Sequence, residues 1–251
     1  MLLRGENVTH VACAFDHEIR SFRNNMFDGY KTGEDAPQEL LAQFDLAEHA
    51  ASALGLVTWP MVEFEADDAI ATAVRLWSGT ADVVQTVICS PDKDLMQLVD
   101  GDRVVCLDRR RNVLIDADGV VEKMGVPPAS IPDYLALVGD SADGIPGVPR
   151  WGAKSTATVL SRYGALEDIP GSETLWDVKV RGAKSLASSL ASHRSEAALY
   201  KQFATLRDDV PIAEGLHDLE WKGVNRDEYI ELCENLGFRQ LQGLPHQWKV
   251  A

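Results

Sequence analysis

No long uninterrupted apolar run occurs in the 251 residues, which excludes a helical membrane span. The N-terminus, MLLRGENVTH, lacks the apolar core of a secretory leader, so a cytoplasmic location without a membrane partner is expected. Cysteine is scarce: Cys13, Cys89, Cys106 and Cys233 are widely spaced, without the pairing of a metal-binding motif. They read as buried free thiols of a reducing compartment, where the Asn7-Val8-Thr9 sequon has no meaning. Positive charge is also short. Against 39 Asp and Glu stand 24 Lys and Arg, a formal net charge of −15, which argues against a simple nucleic-acid binder with its basic footprint. The basic residues that exist are clustered in Arg109 to Arg111, Arg150 to Lys154 and Lys179 to Lys184. Contact with a polyanion would rest on those patches and not on the global field.

The acidic residues are not spread evenly. Four carboxylate groups stand where apolar runs stop: Asp16 after HVACAF, Glu65-Ala-Asp67-Asp68 after LVTWPMVEF, Asp92-Lys-Asp94 after VVQTVICSP, and Asp140-Ser-Ala-Asp143 after YLALVG. The first three runs are short and rich in Val, Ile, Ala and Cys, which suits strands buried on both faces of a parallel sheet. The ends of such strands gather at one sheet edge, where ligands bind. Carboxylates collected there repel one another unless cations lie between them. Hard divalent ions, Mg²⁺ or Mn²⁺, are the natural neutralisers, and a pair of them about 3.5–4 Å apart suits phosphodiester chemistry. Asp140 and Asp143, three residues apart, are expected on one helical face; Asp92 and Asp94 can converge across a turn. Singly, each has a structural reading: Asp67 or Asp68 as a helix N-cap, Asp92 opening a helix at Leu95, Asp16 as a surface loop residue. Their joint occurrence in order at strand ends favours a phosphoryl-transfer site.

Short apolar runs alternate with helical patterns in the first half, the sign of a parallel α/β sheet. Strands are expected near residues 8–15, 56–62, 83–89 and 103–107, and helices over Pro37 to Leu54 and Asp67 to Trp77. Between Asp16 and Pro37 the polar, aromatic stretch SFRNNMFDGYKTGED suits a loop or mobile helical segment. A short hairpin (VLID) follows Arg109 to Arg111. Breaks at Pro127-Pro128 and Pro132 suggest a boundary near 125, with a mainly helical remainder. Gly152-Ala-Lys154-Ser155 recurs as Gly182-Ala-Lys184-Ser185, each before an apolar helical stretch. A Gly turn feeding a helix presents unpaired N–H groups and a positive dipole end to phosphate, though Gly and Ser also begin helices for structural reasons alone.

The segments FDHEIRSFRNNMFDGYK, EADD, SPDKDLMQL and DYLALVGDSADGIPGVPRWGAKSTATVLSRYG resemble the bacterial and phage 5′-nuclease (flap endonuclease) family. That family includes the 5′-nuclease domain preceding many family A DNA polymerases. The resemblance covers nearly the whole chain in order, and its last segment joins GD-x-x-D to a helix–hairpin–helix element. It implies an α/β fold: a parallel-sheet PIN-like nuclease domain over 1–125, then a helical domain over 126–251 with a helix–hairpin–helix (helix–three-turn–helix) near 132–165. The implied activity is hydrolysis of DNA phosphodiesters at 5′ ends or flaps with two divalent ions, in primer removal or repair. Carried over by position, Asp16, Glu65, Asp67 and Asp92 group around a first metal. Asp94, Asp140 and Asp143 match ligands of a second, Asp92 linking both and Asp68 supporting from behind. Arg23 and Lys31 match catalytic basic residues of an arch. Gly147, Gly152, Lys154 and Ser155 match the duplex-gripping hairpin, which in relatives holds a monovalent cation such as K⁺. Arg181 and Lys184, from the third basic cluster, extend the expected DNA-binding surface.

Two departures stand out. The family opens with an apolar strand ending in Asp before the segment that here begins at Met1, so the first strand is expected to be missing, by truncation or variation. Arg150-Trp151 stands where relatives tend to have Gly and an aliphatic residue; Trp151 either packs between the hairpin helices or stacks on DNA. No polymerase segment follows Ala251, so a freestanding, monomeric nuclease is the leading reading. A catalytically impaired DNA-structure binder is the alternative. A PIN-like ribonuclease is a third, but that type lacks the GVPRWGAKS element.

Overall fold

The structure is a computed structural model that describes residues 2–4, 8–34 and 36–250. It forms two compact units, each discontinuous in sequence: Met1–Phe22, Thr32–Ala69 and Asp209–Ala251 make one, Arg23–Lys31 and Ile70–Asp208 the other. Among the described residues no helix is long and apolar enough to cross a membrane.

In the first unit β1 (Ala12–Asp16) and β2 (Val57–Met61) pair in parallel, from Ala12 opposite Val57 to Asp16 opposite Met61. The crossover carries α1 (Gln38–Leu41) and α2 (Phe44–Ala53) where one helix over 37–54 was expected. The break follows from Gln43. Its side-chain amide donates to the Glu39 carbonyl at 2.6 Å, taking the acceptor its own N–H would use in a continuous helix, while that N–H turns to Leu40. β1 is half-buried along its length and not buried on both faces as expected. Just before it, Val11 N–H donates to Leu219 (2.8 Å) and Trp221 N–H to Thr9 (2.9 Å), so a late chain segment borders this strand. Helix α9 (Arg226–Asn235) then packs Tyr229, Leu232 and Cys233 with Ala53 and Val224 into a small core. That return was not legible in the sequence.

In the second unit β3 (Thr86–Ile88) and β4 (Val104–Asp108) are parallel, and β5 (Val113–Ile115) turns back antiparallel on β4, the expected hairpin. The ladders of the described residues thus form a two-stranded and a three-stranded sheet. Helix α3 (Ala66–Trp77) begins inside the EADD motif, right after Glu65. Asp116 caps α4 (Ala117–Met124), accepting from the Gly119 N–H at 2.8 Å. Pro132 does not break a helix; it sits in the first turn of α5 (Ile131–Val138), where its missing N–H costs nothing. The α5 residues Ile131 to Leu137 are all buried, packed with α6 (Ala153–Tyr163), α7 (Ala183–Ser192) and α8 (Arg194–Ala204) around Leu160, Leu190 and Phe203. All four cysteines are free; Cys106 and Cys233 are buried as expected, but Cys13 is half-buried and Cys89 is exposed. Cys89 follows the last residue of the short strand β3, where the pleat no longer covers it.

The tightest backbone approach in the first unit is at Gly55, with φ +77° and the Gly223 carbonyl oxygen 2.1 Å from where a Cβ would stand. Gly55→Ala should therefore destabilise the protein by about 2 kcal/mol or more, through backbone strain and a forced separation of α2 from the 223–225 turn. Urea unfolding checks it, and an unchanged midpoint would refute it.

Candidate metal centre and nucleic-acid interface

In the first unit Asp16, Glu65, Asp67 and Asp68 stand around the start of α3. Asp16, the last residue of β1, accepts from the Ala66 N–H at 2.7 Å and so caps the helix, the task the sequence offered to Asp67 or Asp68. Glu65 is buried and accepts from the Ser21 hydroxyl at 2.7 Å. Asp68 is fully buried and accepts from the Glu65 N–H at 3.1 Å, which holds Glu65 from behind. Asp67 lies in the first turn. The positive end of the helix dipole helps this anionic group to persist.

The second unit brings together Asp94, Asp140 and Asp143, each with a carboxylate oxygen within 4.8 Å of the others. They do not share a helix face. Helix α5 stops at Val138, and the Asp140 backbone pairs with Ile145 in both directions (2.8 and 2.7 Å), closing a turn that carries Asp143 at its tip. Asp140 Oδ1 accepts from the Ala142 N–H at 2.9 Å. Gly147 makes this turn possible. It has φ +72°, and a Cβ there would lie 2.5 Å from the Gly139 nitrogen. Across the other turn Asp92 Oδ1 accepts from the Asp94 N–H at 3.0 Å, so these two do converge, ahead of a 3-10 turn over Asp94–Leu98.

Cations answer this charge. Lys31 Nζ lies 2.9 Å from Asp143 Oδ1, and Lys93 Nζ pairs with Asp140 while standing 3.6 Å from Asp94 Oδ1. Lys93 was missed, although its place between two aspartates in DKD is the signal that finds it. Asp94 Oδ1 is buried with no hydrogen-bond partner. Burial first, then the Asp92 charge, push the Asp94 carboxyl up to about 7, against the pull of Lys93. A buried oxygen lacking a hydrogen bond, beside two further carboxylates, is a donor set that fits a hard divalent cation.

Arg23 departs from expectation. It is 1 % exposed, and its Nε donates to the Phe203 carbonyl at 3.0 Å, its Nη2 to that of Thr205 at 3.4 Å. The guanidinium thus holds carbonyls at the end of α8, where a cation also suits the helix dipole. Phe27 stacks on Phe203 at 5.4 Å and Asn24 donates to the Lys31 carbonyl at 2.9 Å, so residues 23–31 form a loop held to their unit after a short 3-10 turn (Phe22–Asn25), the loop alternative of the expectation.

Of the hairpin residues, Gly152 and Ser155 are in contact. Gly152 precedes α6, and the Ser155 hydroxyl closes on it, accepting from its N–H (3.1 Å) and donating to its carbonyl (2.9 Å). Gly182 precedes α7 with Ser185 donating to its carbonyl at 2.9 Å, and Lys154, Arg181 and Lys184 are exposed. Trp151 takes the packing alternative: it is buried, its Nε1 donates to the Leu186 carbonyl at 3.1 Å, and Trp176 lies 6.2 Å away. Ser189 also donates to the Pro149 carbonyl at 2.6 Å, tying α7 to the hairpin.

Comparison with known proteins bears on these groups. Residues 1–125 match the model of the 5′-3′ exonuclease N-terminal resolvase-like domain, and residues 126–227 that of the 5′-3′ exonuclease C-terminal SAM fold. The chain belongs to the 5′-3′ exonuclease family. It is 36% identical over 239 residues to a DNA polymerase I of Rhizobium leguminosarum, covering 94% of this chain and 23% of that one. It is 32% identical over 244 residues to that of Bacillus subtilis, covering 96% and 27%. The chain therefore spans about a quarter of the length of these relatives. Among solved structures, a phage T5 5′-exonuclease with bound zinc aligns with TM-score 0.65 at 19% identity, over 88% of this chain and 82% of that one. The catalytic core of Rad2 in complex with DNA substrate aligns at 0.54 and 13%, over 88% and 71%. At those identities the likeness is one of fold: α/β with parallel strand pairing, then a helical SAM-like part.

The raised carboxyl gives a pH signature. In the unfolded chain Asp94 ionises near its ordinary value of 3.8, in the folded one at about 7, so unfolding releases a proton between these limits and stability falls as pH rises through them. Asp94→Asn should thus melt higher than the parent at pH 8 in chelator, by on the order of 1–4 kcal/mol, the gain vanishing near pH 4. Melting curves across that range check it; a variant less stable at pH 8 would show that Asp94 is held by contacts stronger than the repulsion.

Proposed function

We propose that this chain is a divalent-cation-dependent 5′-nuclease acting on DNA at 5′ ends or flaps, in primer removal or repair, as a cytoplasmic monomer. The observation that carries the reading is the Asp94–Asp140–Asp143 group with its buried Asp94 oxygen lacking a hydrogen bond. Family membership supports it, as does the solved T5 5′-exonuclease with bound divalent zinc ions. In this reading Asp94, Asp140 and Asp143 hold one Mg²⁺ or Mn²⁺, with Asp92 beside Asp94; Asp16, Glu65 and Asp67 hold another, with Asp68 supporting. Bound there, the ions supply a hydroxide nucleophile at neutral pH and charge neutralisation at the phosphate.

The chain's own residues do the rest. Lys31, whose Nζ stands 2.9 Å from Asp143 Oδ1, would orient a phosphate oxygen at the site and stabilise its developing charge. Arg23 supports Lys31 indirectly, by fixing the 23–31 segment to α8. Lys154 and the first N–H groups of α6, with Arg181 and Lys184 beside α7, grip duplex phosphates, the hairpin over Gly147 to Ser155 carrying K⁺. The 1–125 and 126–251 segments correspond in this reading to a nuclease and a DNA-binding domain.

A 5′-labelled flap duplex incubated with and without Mg²⁺ or Mn²⁺ tests the proposal. Metal-dependent cleavage is expected. DNA binding with no cleavage under either ion would establish the impaired DNA-structure binder instead.

Asp143→Ala should lower cleavage about 100-fold or more while duplex affinity and melting temperature hold, since it removes one like charge from a crowded group. Loss of activity together with a large drop in melting temperature would assign Asp143 to structure. Separately, Lys154→Ala and Arg181→Ala should each weaken duplex binding across all sequences and flatten its salt dependence by about one unit. An unchanged salt slope would place the interface elsewhere.

A further inference from the structure

A second constellation of metal-ligating side chains lies in the first unit, in residues to which neither the nuclease reading nor the family motifs give a role. His17 follows β1, and its N–H donates to the Met61 carbonyl at 2.9 Å, which extends the β1–β2 pairing and fixes the residue. Asp45 and Glu48, three apart on α2, face it from one side of that helix. His17 Nδ1 lies 3.0 and 3.2 Å from the two Glu48 oxygens and 3.8 Å from Asp45 Oδ1.

These separations carry the argument. Ligand atoms about 2.0–2.1 Å from a tetrahedral Zn²⁺ lie about 3.3 Å from one another, and the distances of Nδ1 to the two carboxylates bracket that edge. One imidazole nitrogen with two carboxylates is a donor set for a borderline transition ion and not for Mg²⁺, which prefers oxygen and water. The side chains of Glu48 and His17 are 15% and 38% exposed and that of Asp45 90%, so the site is anchored on one side and open on the other. His17 also lines a cavity of about 320 Å³, together with Arg20, Thr32, Leu41 and Phe44.

We propose that His17, Asp45 and Glu48 form a Zn²⁺ site that clamps the exit of β1 to α2, separate from the carboxylate groups assigned to Mg²⁺ or Mn²⁺. Only Zn²⁺ is needed to test it. The whole chain, held in excess Mg²⁺ so that hard-ion sites are filled, is titrated with Zn²⁺ against a chromophoric chelator, with Co²⁺ as a spectroscopic stand-in. One Zn²⁺ per chain is expected to bind, with visible Co²⁺ bands of low coordination number. His17→Gln and Glu48→Gln should each weaken Zn²⁺ at least about tenfold and bleach those bands, while Asp143→Asn leaves both unchanged. Using two variants keeps the test open if one misfolds. No Zn²⁺ uptake by the parent, uptake unaltered in both variants, or uptake lost in Asp143→Asn would overturn the site, whether or not the chain cleaves DNA.

Discussion

Repulsion among Asp94, Asp140 and Asp143 is the constraint around which the second unit is arranged. Three carboxylates whose oxygens lie within 4.8 Å, one of them with a buried oxygen, cannot all remain charged in a folded chain without opposite charge nearby. The unit supplies Lys31 and Lys93 as that charge, and still leaves Asp94 holding its proton far above the ordinary carboxylate range. Folding the group without a cation is therefore costly, and that cost is what binding a cation relieves. Much of the local architecture serves this arrangement: Gly147 lets the 140–145 turn close, and Arg23 moors the segment bearing Lys31 to α8.

At the two carboxylate groups different stabilising contacts are seen. At the start of α3 the backbone does much of the work, with the Ala66 and Glu65 N–H groups spent on Asp16 and Asp68 and the dipole favouring negative charge. Around Asp94 the stabilisation comes from side-chain cations, which can be exchanged for others.

Arg23 shows why residue type and position alone do not assign a role. In the sequence, an Arg in SFR followed eight residues later by Lys31 reads as a pair of phosphate-binding cations. In the fold the two diverge: Lys31 reaches a carboxylate at the site, while Arg23 turns into the core onto main-chain carbonyls. Both placements satisfy a positive charge, and nothing local in the sequence distinguishes them. Trp151 is the same lesson in reverse, since an aromatic beside a basic hairpin invites a stacking role, yet burial and its bond to Leu186 assign it to packing.

The sequence by itself determined the carboxylates at strand ends, the strand and helix order of the first half, the hairpin after Arg111 and the helical second half. These rest on local signals: β-branched runs, capping residues and glycine turns act over a few residues. Tertiary structure alone decided what depends on long-range contact. It split the pairing into two sheets, returned residues 209–251 to border β1, gave Lys93 to Asp140, buried Arg23, and set His17 beside Asp45 and Glu48. The reason is physical. A side chain's burial and partners depend on elements far away in the chain, and an Arg or Lys carries the same local signature whether it meets solvent, a carboxylate or a helix end.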